Sequence, residues 1–440
     1  MTYELVLGLE IHLQMNTVMK MFCSCKNEPF GSNPPNRRAK PNTHVCPVCL
    51  GLPGAMPVPN KEAIEKAQSM AHALGSNLRD EIIFERKNYF YPDLPKAFQL
   101  TTPHYPVAEG GIFKWTHVNE KKEISWREIH IEEDTAKSMH KDGKTWIDFN
   151  KSGVPLLEMV SEPDFKTIED AVLFAKEVQK IAREIKASEA DMEKGHMRLE
   201  ANISLRKKGQ KDLPAYRVEI KNINSFTFMK NALNVEVERQ TQALEKGETL
   251  TQETRGYNED KKITFSQRSK EEAHDYRYFP EPDIPPIRFS KQQLDLVKNS
   301  VPELPESKKE KLIKYNVKVA DAGIIASNPR ASDLAFGTIQ LAPNAGATIG
   351  SMIVNKKIAI TSTPEEFYKL LKEKENVITD DSQLKTWVEK AIQDNQKAAE
   401  DVRSGKMQAM GALIGAVMKY SKGKGDAKKI SELLRKKLTT

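Results

Sequence analysis

Two side chains near the start of the chain could bind a cation. Glu10 and His12 stand two positions apart in the stretch VLGLEIHLQ, residues 6–14, where apolar residues occupy the alternating positions. Because successive side chains of a β-strand point to opposite faces, this pattern predicts a half-buried strand with both groups on one face. A carboxylate beside an imidazole is either a surface pair or half of a metal site, and the stretch by itself favours the surface pair.

The four cysteines of the chain form two close pairs, Cys23 with Cys25 and Cys46 with Cys49. Two pairs separated by a loop suit a tetrahedral Zn²⁺ ion, because each pair supplies one edge of the tetrahedron. Four thiolates leave no open coordination position, so such a zinc would be structural and would hold the proline-rich loop between the pairs. Free thiols are the alternative, since disulfides are disfavoured in a cytosolic protein.

A run of three acids, Glu132, Glu133 and Asp134, follows His130 in the segment REIHIEEDTAKS. Adjacent carboxylates repel one another unless a cation or basic groups neutralise them. A bound Mg²⁺ would do so, because it binds a few carboxylate oxygens together with water and substrate phosphate. Solvated surface acids are the alternative, and the run by itself favours them.

Four further segments hold more polar side chains than a plain fold requires. In MRLEANISLR and RVEIKNINSF the polar residues alternate with apolar ones, which fits either a polar cavity or an outward solvent face. The segment DFNKSGVPLLEMVSEPDF places acids, an amide and a lysine around a glycine turn, and the aromatic loop FERKNYFYPDLPKAFQL suits the lining or the rim of a pocket. The polar positions concerned include Asp148, Asn150, Lys151, Glu158, Glu162, Asp164, Arg198, Glu200, Asn202, Ser204, Arg206, Glu219 and Lys221.

A mixed α+β fold would position these groups. Short strand patterns occur in EIIFERKNYFYP, EISWREIHIEED, HMRLEANISLR and YRVEIKNIN. Helical spacing predicts one helix after a Thr167 N-cap, in TIEDAVLFAKEVQKIAREIKAS, and a second from about Phe226 to Glu245. The proline-rich stretch 279–289 separates this region from lysine-rich helical segments. We therefore predict a mixed-sheet domain over 1–290, a small helical domain over 291–383 and a helical tail over 384–440.

The composition is that of a globular protein. The 440 residues are 39% hydrophobic and 29% charged, a balance that excludes a membrane-embedded or disordered chain. No apolar run approaches the roughly 18 residues of a membrane span, and the N-terminal stretch lacks a secretory signal pattern, so we expect a cytoplasmic protein. Walker, dinucleotide-binding and G-x-S-x-G motifs are missing from the sequence, so phosphate chemistry would need another fold.

Positive charge is concentrated at the end of the chain. From Arg403 to Thr440 there are ten lysines and arginines against two acids, whereas the net charge of the whole chain is only +7. A cationic cluster of this kind predicts a polyanionic partner such as nucleic acid. A solvated, lysine-rich helix pair would produce the same pattern, and composition favours neither interpretation.

Long characteristic blocks are spread over most of the chain. They are GLEIHLQ, MKMFCSCKN, CPVCLGLPGAMPVPN, FERKNYFYPDLPKAFQ, IHIEEDTAKSMH, DFNKSGVPLLEMVSEPDF, RLEANISLR, EIKNINSF, QETRGYNE, DYRYFPEPDIPP and GKMQAMGALIGAVMKYSKGK. In content and in order these blocks resemble the B-subunit family of the bacterial and organellar glutamyl/aspartyl-tRNA amidotransferases. Between about 325 and 385 the chain is shorter than the family's helical domain.

The resemblance implies an architecture and a reaction. Residues 1–290 would form a cradle domain with a zinc-stapled loop, 291–383 a shortened helical domain, and 384–440 a YqeY-like helical tail that binds tRNA. ATP would phosphorylate the side chain of Glu on tRNA-Gln, or of Asp on tRNA-Asn, and ammonia would then displace the phosphate. This is carbon–nitrogen ligase chemistry in a heterotrimer, in which an amidase partner releases ammonia from glutamine and a third, small partner chain completes the complex.

The resemblance also implies roles for residues of the predicted cradle. Glu10, His12 and Glu133 match the family's Mg²⁺ and phosphorylation site, with Glu132 beside them as a further catalytic residue. Lys87 matches the mouth of the ammonia channel.

Two more sets of residues match family motifs. Arg198, Asn202 and Lys221 would bind ATP or substrate phosphate. Cys23, Cys25, Cys46 and Cys49 match the zinc-containing form of the family, and some members lack this site.

Two other functions share some of these sequence features. A zinc-stabilised RNA-binding protein without catalysis would share the cysteines and the basic tail but would not need the carboxylates. An archaeal-type relative specific for Glu-tRNA would need an inserted domain of about a hundred residues, which a 440-residue chain has no room for.

Overall fold

The computed structural model describes residues 3–28, 39–117, 120–269, 275–375, 381–421 and 425–438. The chain divides into two compact units, Met1–Lys311 with Ala326–Pro329 and Leu312–Ile325 with Arg330–Thr440. The first contains a large mixed sheet and the second is helical, so the predicted α+β class is confirmed. The predicted domain boundaries near residues 290 and 383 stay predictions.

The strands and helices follow one another along the described residues. The strands are β1 (Tyr3–Gln14), β2 (Ser76–Leu78), β3 (Glu81–Ile82), β4 (Glu85–Asn88), β5 (Phe98–Thr101), β6 (Ala108–His117), β7 (Glu120–Glu133), β8 (Lys137–Lys141), β9 (Lys144–Asp148), β10 (Pro155–Ser161), β11 (Met197–Lys207), β12 (Val218–Ile223), β13 (Glu253–Asn258), β14 (Ile263–Ser269), β15 (Phe279–Pro280) and β16 (Ile287–Arg288). The helices are α1 (Lys61–Ala73), α2 (Ile168–Glu184), α3 (Phe226–Glu245), α4 (Lys291–Ser300), α5 (Pro305–Lys314), α6 (Val319–Ala326), α7 (Pro329–Leu341), α8 (Gly346–Val354), α9 (Pro364–Glu375), α10 (Asp381–Asp394), α11 (Gln396–Arg403), α12 (Met410–Tyr420) and α13 (Ala427–Leu438).

The predicted strand at the start of the chain is the centre of the large sheet. Along this sheet the strand order is β14-β13-β12-β11-β1-β10-β7-β5-β4-β15, and β2 and β6 extend it beside β7. Strand β1 pairs antiparallel with both β10 and β11, so neither of its edges is exposed. A strand with two neighbours holds its side chains in a defined register, which suits it to carry a site.

One face of the sheet packs against helices. The alternating apolar residues of β1 are fully buried there, together with apolar residues of α1, α2 and α3. Phe174 of α2 lies at the centre of this layer, with its ring 5.4 Å from that of Trp126 and 5.2 Å from that of Phe165. Because the helices cover this face, the polar side chains of β1 lie on the other one.

Both helices predicted for this region form where the sequence places them. Helix α2 begins after Thr167, whose hydroxyl accepts a hydrogen bond from the backbone N–H of Asp170 at 3.0 Å. Helix α3 spans Phe226–Glu245, and the Ser225 hydroxyl caps it in the same way. These caps satisfy backbone donors that lack a partner in the first turn.

The second unit contains the predicted helical tail. Helices α10 to α13 pack around buried apolar residues, among them Met410, Leu413, Val417 and Leu434. The spacing of Met407, Met410, Leu413, Ile414 and Val417 predicts one apolar helical face, but Met407 lies in a short 3₁₀ turn and is 44% exposed. The glycine-rich stretch SKGKGD predicts a turn between the last two helices, and its residues 422–424 lie outside the described residues. Among the helices that the structure describes, none has both the length and the apolar character needed to cross a membrane.

Candidate active site

The pairing of the central strands gathers acid side chains on the face away from the helices. Glu10 is the register partner of Glu200 on β11, and His12 is the partner of Glu158 on β10. Directly opposed residues of antiparallel strands point to the same face, with Cβ atoms about 5 Å apart. Glu219 of β12 reaches this cluster as well. Four strands therefore contribute to one polar site.

Two sets of ligand atoms in the cluster are close enough to share a cation. Those of Glu10, His12 and Glu158 lie within 4.8 Å of one another, and so do those of Glu10, Glu200 and Glu219. The carboxylate of Glu10 belongs to both sets. Three carboxylate oxygens suit Mg²⁺, which prefers oxygen ligands, whereas the set with His12 also offers a nitrogen.

The pKa of Glu10 is shifted by its burial and by the neighbouring acids. Burial raises the pKa of Glu10 to about 9, with further contributions from Glu158, Glu200 and Glu219, while Lys221 acts in the opposite direction. A carboxyl group with that pKa is protonated at neutral pH unless a bound cation replaces the proton. The cluster thus favours binding of a positive charge.

The surroundings of His12 favour its neutral imidazole form. Burial lowers the pKa of His12, in spite of the neighbouring acids Glu158 and Glu200 that act in the opposite direction. A neutral imidazole keeps one nitrogen with a free lone pair, which is the form that binds metal ions.

Glu132 joins the cluster from strand β7. Its Oε1 lies 3.7 Å from His12 Nε2, and Glu10 Oε1 lies 3.7 Å from the same nitrogen. Burial raises the pKa of Glu132 to about 8, with Glu158 adding to the effect and Lys87 opposing it. The structure therefore brings together three of the four residues predicted to be catalytic.

Glu133 points away from this cluster. Because Glu132 and Glu133 are neighbours on one strand, their side chains lie on opposite faces. The carboxylate of Glu133 forms an ion pair with Lys96 and accepts a hydrogen bond from the backbone N–H of Leu100 at 3.0 Å. The structure thus does not bring Glu133 together with Glu10 and His12 as the Mg²⁺ expectation requires. Glu158 lies beside them instead.

Lys87, the residue expected at the ammonia channel, lies on β4 at one side of the cluster. Its ammonium is 4.9 Å from the centre of the Tyr276 ring. Burial would lower the pKa of Lys87, but the negative charges of Glu132 and Glu158 outweigh it and raise that pKa. Lys87 is therefore a positively charged group that interacts with two acids of the cluster, Glu132 and Glu158.

The three residues expected to bind ATP or phosphate lie on β11 and β12. Arg198 is the register partner of His12, and Asn202 is the partner of Gly8. Lys221 Nζ lies 3.0 Å from Glu200 Oε2 and 3.5 Å from Glu219 Oε1. Lys221 therefore neutralises part of the acid cluster.

A pocket adjoins the cluster at the Gly8 end of β1. Its volume is about 190 Å³, and apolar residues such as Val6, Val160 and Tyr216 line it together with Asn202 and Arg217. The Oδ1 atom of Asn202 is buried and has no hydrogen-bond partner in the described part of the chain. A buried acceptor without a partner suggests that a ligand donor binds there.

The four cysteines predicted to form a zinc site lie close together in the loop that precedes α1. Ligand sulfurs of Cys23, Cys25, Cys46 and Cys49 all lie within 4.8 Å of one another, and none of the four forms a disulfide. A hydrogen bond from Cys23 lowers the pKa of Cys49 to about 4, against the effect of burial. A group of four thiols with this spacing can bind a metal such as zinc.

The family assignment follows from comparison with known proteins. Residues 5–295, which hold the acid cluster and the cysteines, match the model of the GatB/GatE catalytic domain. The chain belongs to the amidotransferase B-subunit family. Residues 339–438 match a second model, described as the GatB domain.

Relatives of the same family match over the whole chain. The B subunit of the aspartyl/glutamyl-tRNA(Asn/Gln) amidotransferase of Elusimicrobium minutum is 40% identical, and the alignment covers 99% of each chain. The protein of the same name from Persephonella marina is 37% identical with 100% of each chain covered. That from Thermus thermophilus is 38% identical with 98% of each covered.

Three acids of this B-subunit site were not among the predicted site residues. Glu158, Glu200 and Glu219 each occupied a noted polar segment, but nothing in those segments separated them from surface acids. In the sequence, the three share one feature: each is an acid with apolar neighbours within a strand. Which of them meets Glu10 depends on strand register, and a local pattern does not show that.

Proposed function

We propose that this protein is the B subunit of a tRNA-dependent amidotransferase, a carbon–nitrogen ligase that converts Glu on tRNA-Gln, or Asp on tRNA-Asn, to the amide. The observation that carries the proposal is the acid cluster around Glu10 and His12, which lies beside a pocket within the region that matches the family's catalytic domain. Such a protein would work in the cytoplasm, where translation takes place.

The reaction needs an activated carboxylate, because a carboxylate oxygen is a poor leaving group. ATP supplies the activation: the bond between its γ-phosphorus and the bridging oxygen breaks, a side-chain carboxylate oxygen bonds to phosphorus, and ADP leaves. The lone pair of ammonia then attacks the acyl carbon, the carbon–oxygen bond to phosphate breaks, and a base takes one proton from nitrogen. Phosphoryl transfer of this kind depends mainly on positioning and electrostatics.

The donor set of the cluster fits a divalent cation. Glu10, Glu158 and His12 would hold Mg²⁺, and Glu200 and Glu219 offer further oxygens beside Glu10. When bound, this ion supplies charge neutralisation on phosphate oxygens during transfer. The raised pKa of Glu10 is consistent with this assignment, because burial first and the neighbouring Glu158, Glu200 and Glu219 next disfavour a carboxylate there that has no cation beside it.

The pocket beside Gly8 suits the nucleoside part of ATP. Its apolar side chains can contact a planar base, and Asn202 can accept a hydrogen bond from it. Arg198 and Lys221 are positive groups on the neighbouring strands, as expected for residues that bind phosphate. The nucleotide would thus extend from the pocket towards the acid cluster.

Ammonia would reach the cluster from the side of Lys87. The relatives are named as one subunit of an amidotransferase, which supports assembly with other chains. We infer two partner chains, an amidase that releases ammonia from glutamine and a small third chain, with the basic tail of this protein binding tRNA. The charge of Lys87 next to Glu132 and Glu158 supports its position on the route of the nucleophile.

The cysteine cluster would hold one structural zinc ion. Four sulfurs within mutual reach satisfy a tetrahedral ion completely, so no position is left for substrate. The ion would stabilise the loop in front of α1, because the sequence between the two cysteine pairs is rich in proline and asparagine.

The test uses the complex reconstituted from all three chains, with Glu-tRNA as substrate. In Glu10→Gln we expect ADP formation that depends on Glu-tRNA to fall about 100-fold or more, with tRNA affinity nearly unchanged. Glu123→Gln is the matched control, because Glu123 is an exposed acid on the same sheet with a weak surface ion pair. Normal turnover of Glu10→Gln would refute the proposed site, and wild-type protein that binds tRNA but hydrolyses no ATP would favour the RNA-binding alternative.

A further inference from the structure

Three residues at the His12 end of the sheet form a charged group separate from the acid cluster. Asp134 directly follows β7, Lys151 lies in the turn before β10, and Arg198 lies on β11. The turn is possible because Gly153 has φ +82, which a residue with a side chain rarely adopts. The backbone N–H of Gly153 donates to the carbonyl of Asp134 at 2.9 Å, which holds the turn against the end of β7.

Asp134 is the anchor of this group. Its side chain is buried, and its Oδ2 lies 2.7 Å from Lys151 Nζ and 3.6 Å from an Nη of Arg198. The same oxygen accepts a hydrogen bond from Gln14 Nε2 at 2.7 Å, and Oδ1 accepts one from the backbone N–H of Thr135 at 3.0 Å. These contacts hold the carboxylate in one orientation, and it in turn orients the two cations.

The group has one positive charge in excess. Within the described residues, Asp134 is the only acid that forms an ion pair with Lys151 or Arg198. A distance of 3.6 Å is too long for a hydrogen bond, so this contact with Asp134 leaves the N–H groups of the Arg198 guanidinium available to donate to a ligand. The Arg198 side chain is 47% exposed, and that of Lys151 is 19% exposed. Two oriented cations with one buried counter-ion, open to solvent, form a site for an anion.

The position of this group relates it to the proposed reaction. Arg198 is the direct cross-strand partner of His12, and Asp134 stands two residues after Glu132. Gly8, at the pocket, and His12 are four residues apart on β1, which is about 13 Å along a strand. An elongated anion that starts in the pocket and passes Glu10 would end beside Arg198 and Lys151.

We propose that Lys151 and Arg198, oriented by Asp134, bind a phosphate group of the substrate in this active site. The inference rests on the proposed function and adds Lys151 as a binding residue and Asp134 as a positioning residue. Two sources supply this chemistry, the terminal phosphates of the nucleotide and the backbone phosphates of the tRNA acceptor end. Arg198 alone would be a weaker site, because a single half-exposed cation is readily hydrated.

The experiment measures the affinity of the reconstituted complex for ADP and, separately, for deacylated tRNA. In Lys151→Met we expect at least one of the two affinities to fall about 10- to 100-fold, the effect of losing a charge-assisted bond to phosphate. Loss in the ADP arm identifies the nucleotide as the source, and loss in the tRNA arm identifies tRNA. Lys151→Arg should recover most of the affinity, and Lys144→Met, at an exposed position in the same segment, should bind like the wild type.

Stability measurements separate binding from a purely structural role. If Lys151→Met lowers the melting temperature but leaves both affinities unchanged, the residue only supports Asp134 and the inference is overturned. Arg198→Met provides a second test that does not depend on folding, because this side chain is half exposed, and unchanged affinities in that variant would overturn the inference as well. Wild-type complex that binds neither ADP nor tRNA would instead refute the proposed function.

Discussion

His12 and Glu158 face each other directly across the antiparallel strands β1 and β10. The two residues are far apart in the sequence, and only the fold makes them neighbours. Their ligand atoms, together with those of Glu10, lie within 4.8 Å of one another. If Glu158 contributes to cation binding, as this arrangement indicates, its loss will show first in the metal dependence of the reaction.

We predict that Glu158→Gln raises the Mg²⁺ concentration needed for half-maximal ADP formation by about 10- to 100-fold, because one anionic oxygen ligand is lost. The measurement is a Mg²⁺ titration of Glu-tRNA-dependent ADP formation in the reconstituted complex. Glu123→Gln should titrate like the wild type. The same midpoint in Glu158→Gln and wild type would remove Glu158 from the ligand set.

Removal of the metal from the cysteine cluster should destabilise the protein. We predict about one zinc ion per chain in the purified protein and a lower melting temperature after chelation, because four free thiols do not hold their loop together. Metal analysis and thermal unfolding with and without a chelator are the measurements. Purified protein that contains no zinc and shows four titratable thiols would contradict the zinc proposal.

Lys20 should matter for stability although it lies outside the proposed reaction site. It is fully buried, and its ammonium donates to the carbonyls of His44 at 2.8 Å and Phe149 at 3.2 Å, close to Cys49 Sγ. Lys20→Met removes both bonds, and although the backbone N–H of Ser152 still donates to the Phe149 carbonyl, the His44 carbonyl loses the donor that Lys20 supplies. We therefore predict a loss of about 1–3 kcal/mol in the free energy of unfolding. Denaturant titration measures it.

Lys26→Met is the matched control for that prediction, since Lys26 lies in the same loop with its side chain 65% exposed. The control should be within about 0.5 kcal/mol of wild type. Equal stability of both variants would mean that the buried contacts of Lys20 contribute little.

Lys87→Met should affect amidation more than activation. The ammonium of Lys87 faces Glu132 and Glu158, on the side where we place the entry of ammonia. We predict that Gln-tRNA formation falls about tenfold or more while ADP formation falls less, so that the ratio of product to ADP decreases. Parallel assays of ADP and of amidated tRNA give this ratio, with Lys114→Met, an exposed lysine on β6, as control. An unchanged ratio would exclude a separate role of Lys87 in the second step.

The sequence was sufficient to predict some of these features because their determinants are local. The alternation in β1 placed Glu10 and His12 on one face, and the Thr167 cap and apolar spacing located α2. The cysteine pairs predicted their cluster, since metal-ligand spacing is itself a local signal.

The partners of Glu10 could not be predicted in this way. Glu158 and Glu200 meet β1 through antiparallel pairings between distant segments, and a shift of one residue in either register would turn their side chains to the opposite face. The sequence pattern alone also does not distinguish Glu132 from Glu133, although adjacent residues of a strand point to opposite faces of the sheet. The family resemblance assigned Glu133 to the metal, whereas the geometry of β7 directs Glu132, and not Glu133, towards His12.

Glu133→Gln distinguishes these two assignments. The carboxylate of Glu133 is buried with Lys96 and the backbone N–H of Leu100, on the face opposite to His12. A glutamine keeps one acceptor but leaves the Lys96 charge without its partner, so we predict a loss of about 1–3 kcal/mol in the free energy of unfolding. The Mg²⁺ concentration for half-maximal ADP formation should stay within about twofold of wild type, because the ligands around Glu10 are untouched. Denaturant unfolding and the Mg²⁺ titration together measure both effects. A large increase in the Mg²⁺ requirement without a loss of stability would mean that Glu133 is a metal ligand after all. In that case β7 would have to rearrange when the substrates bind.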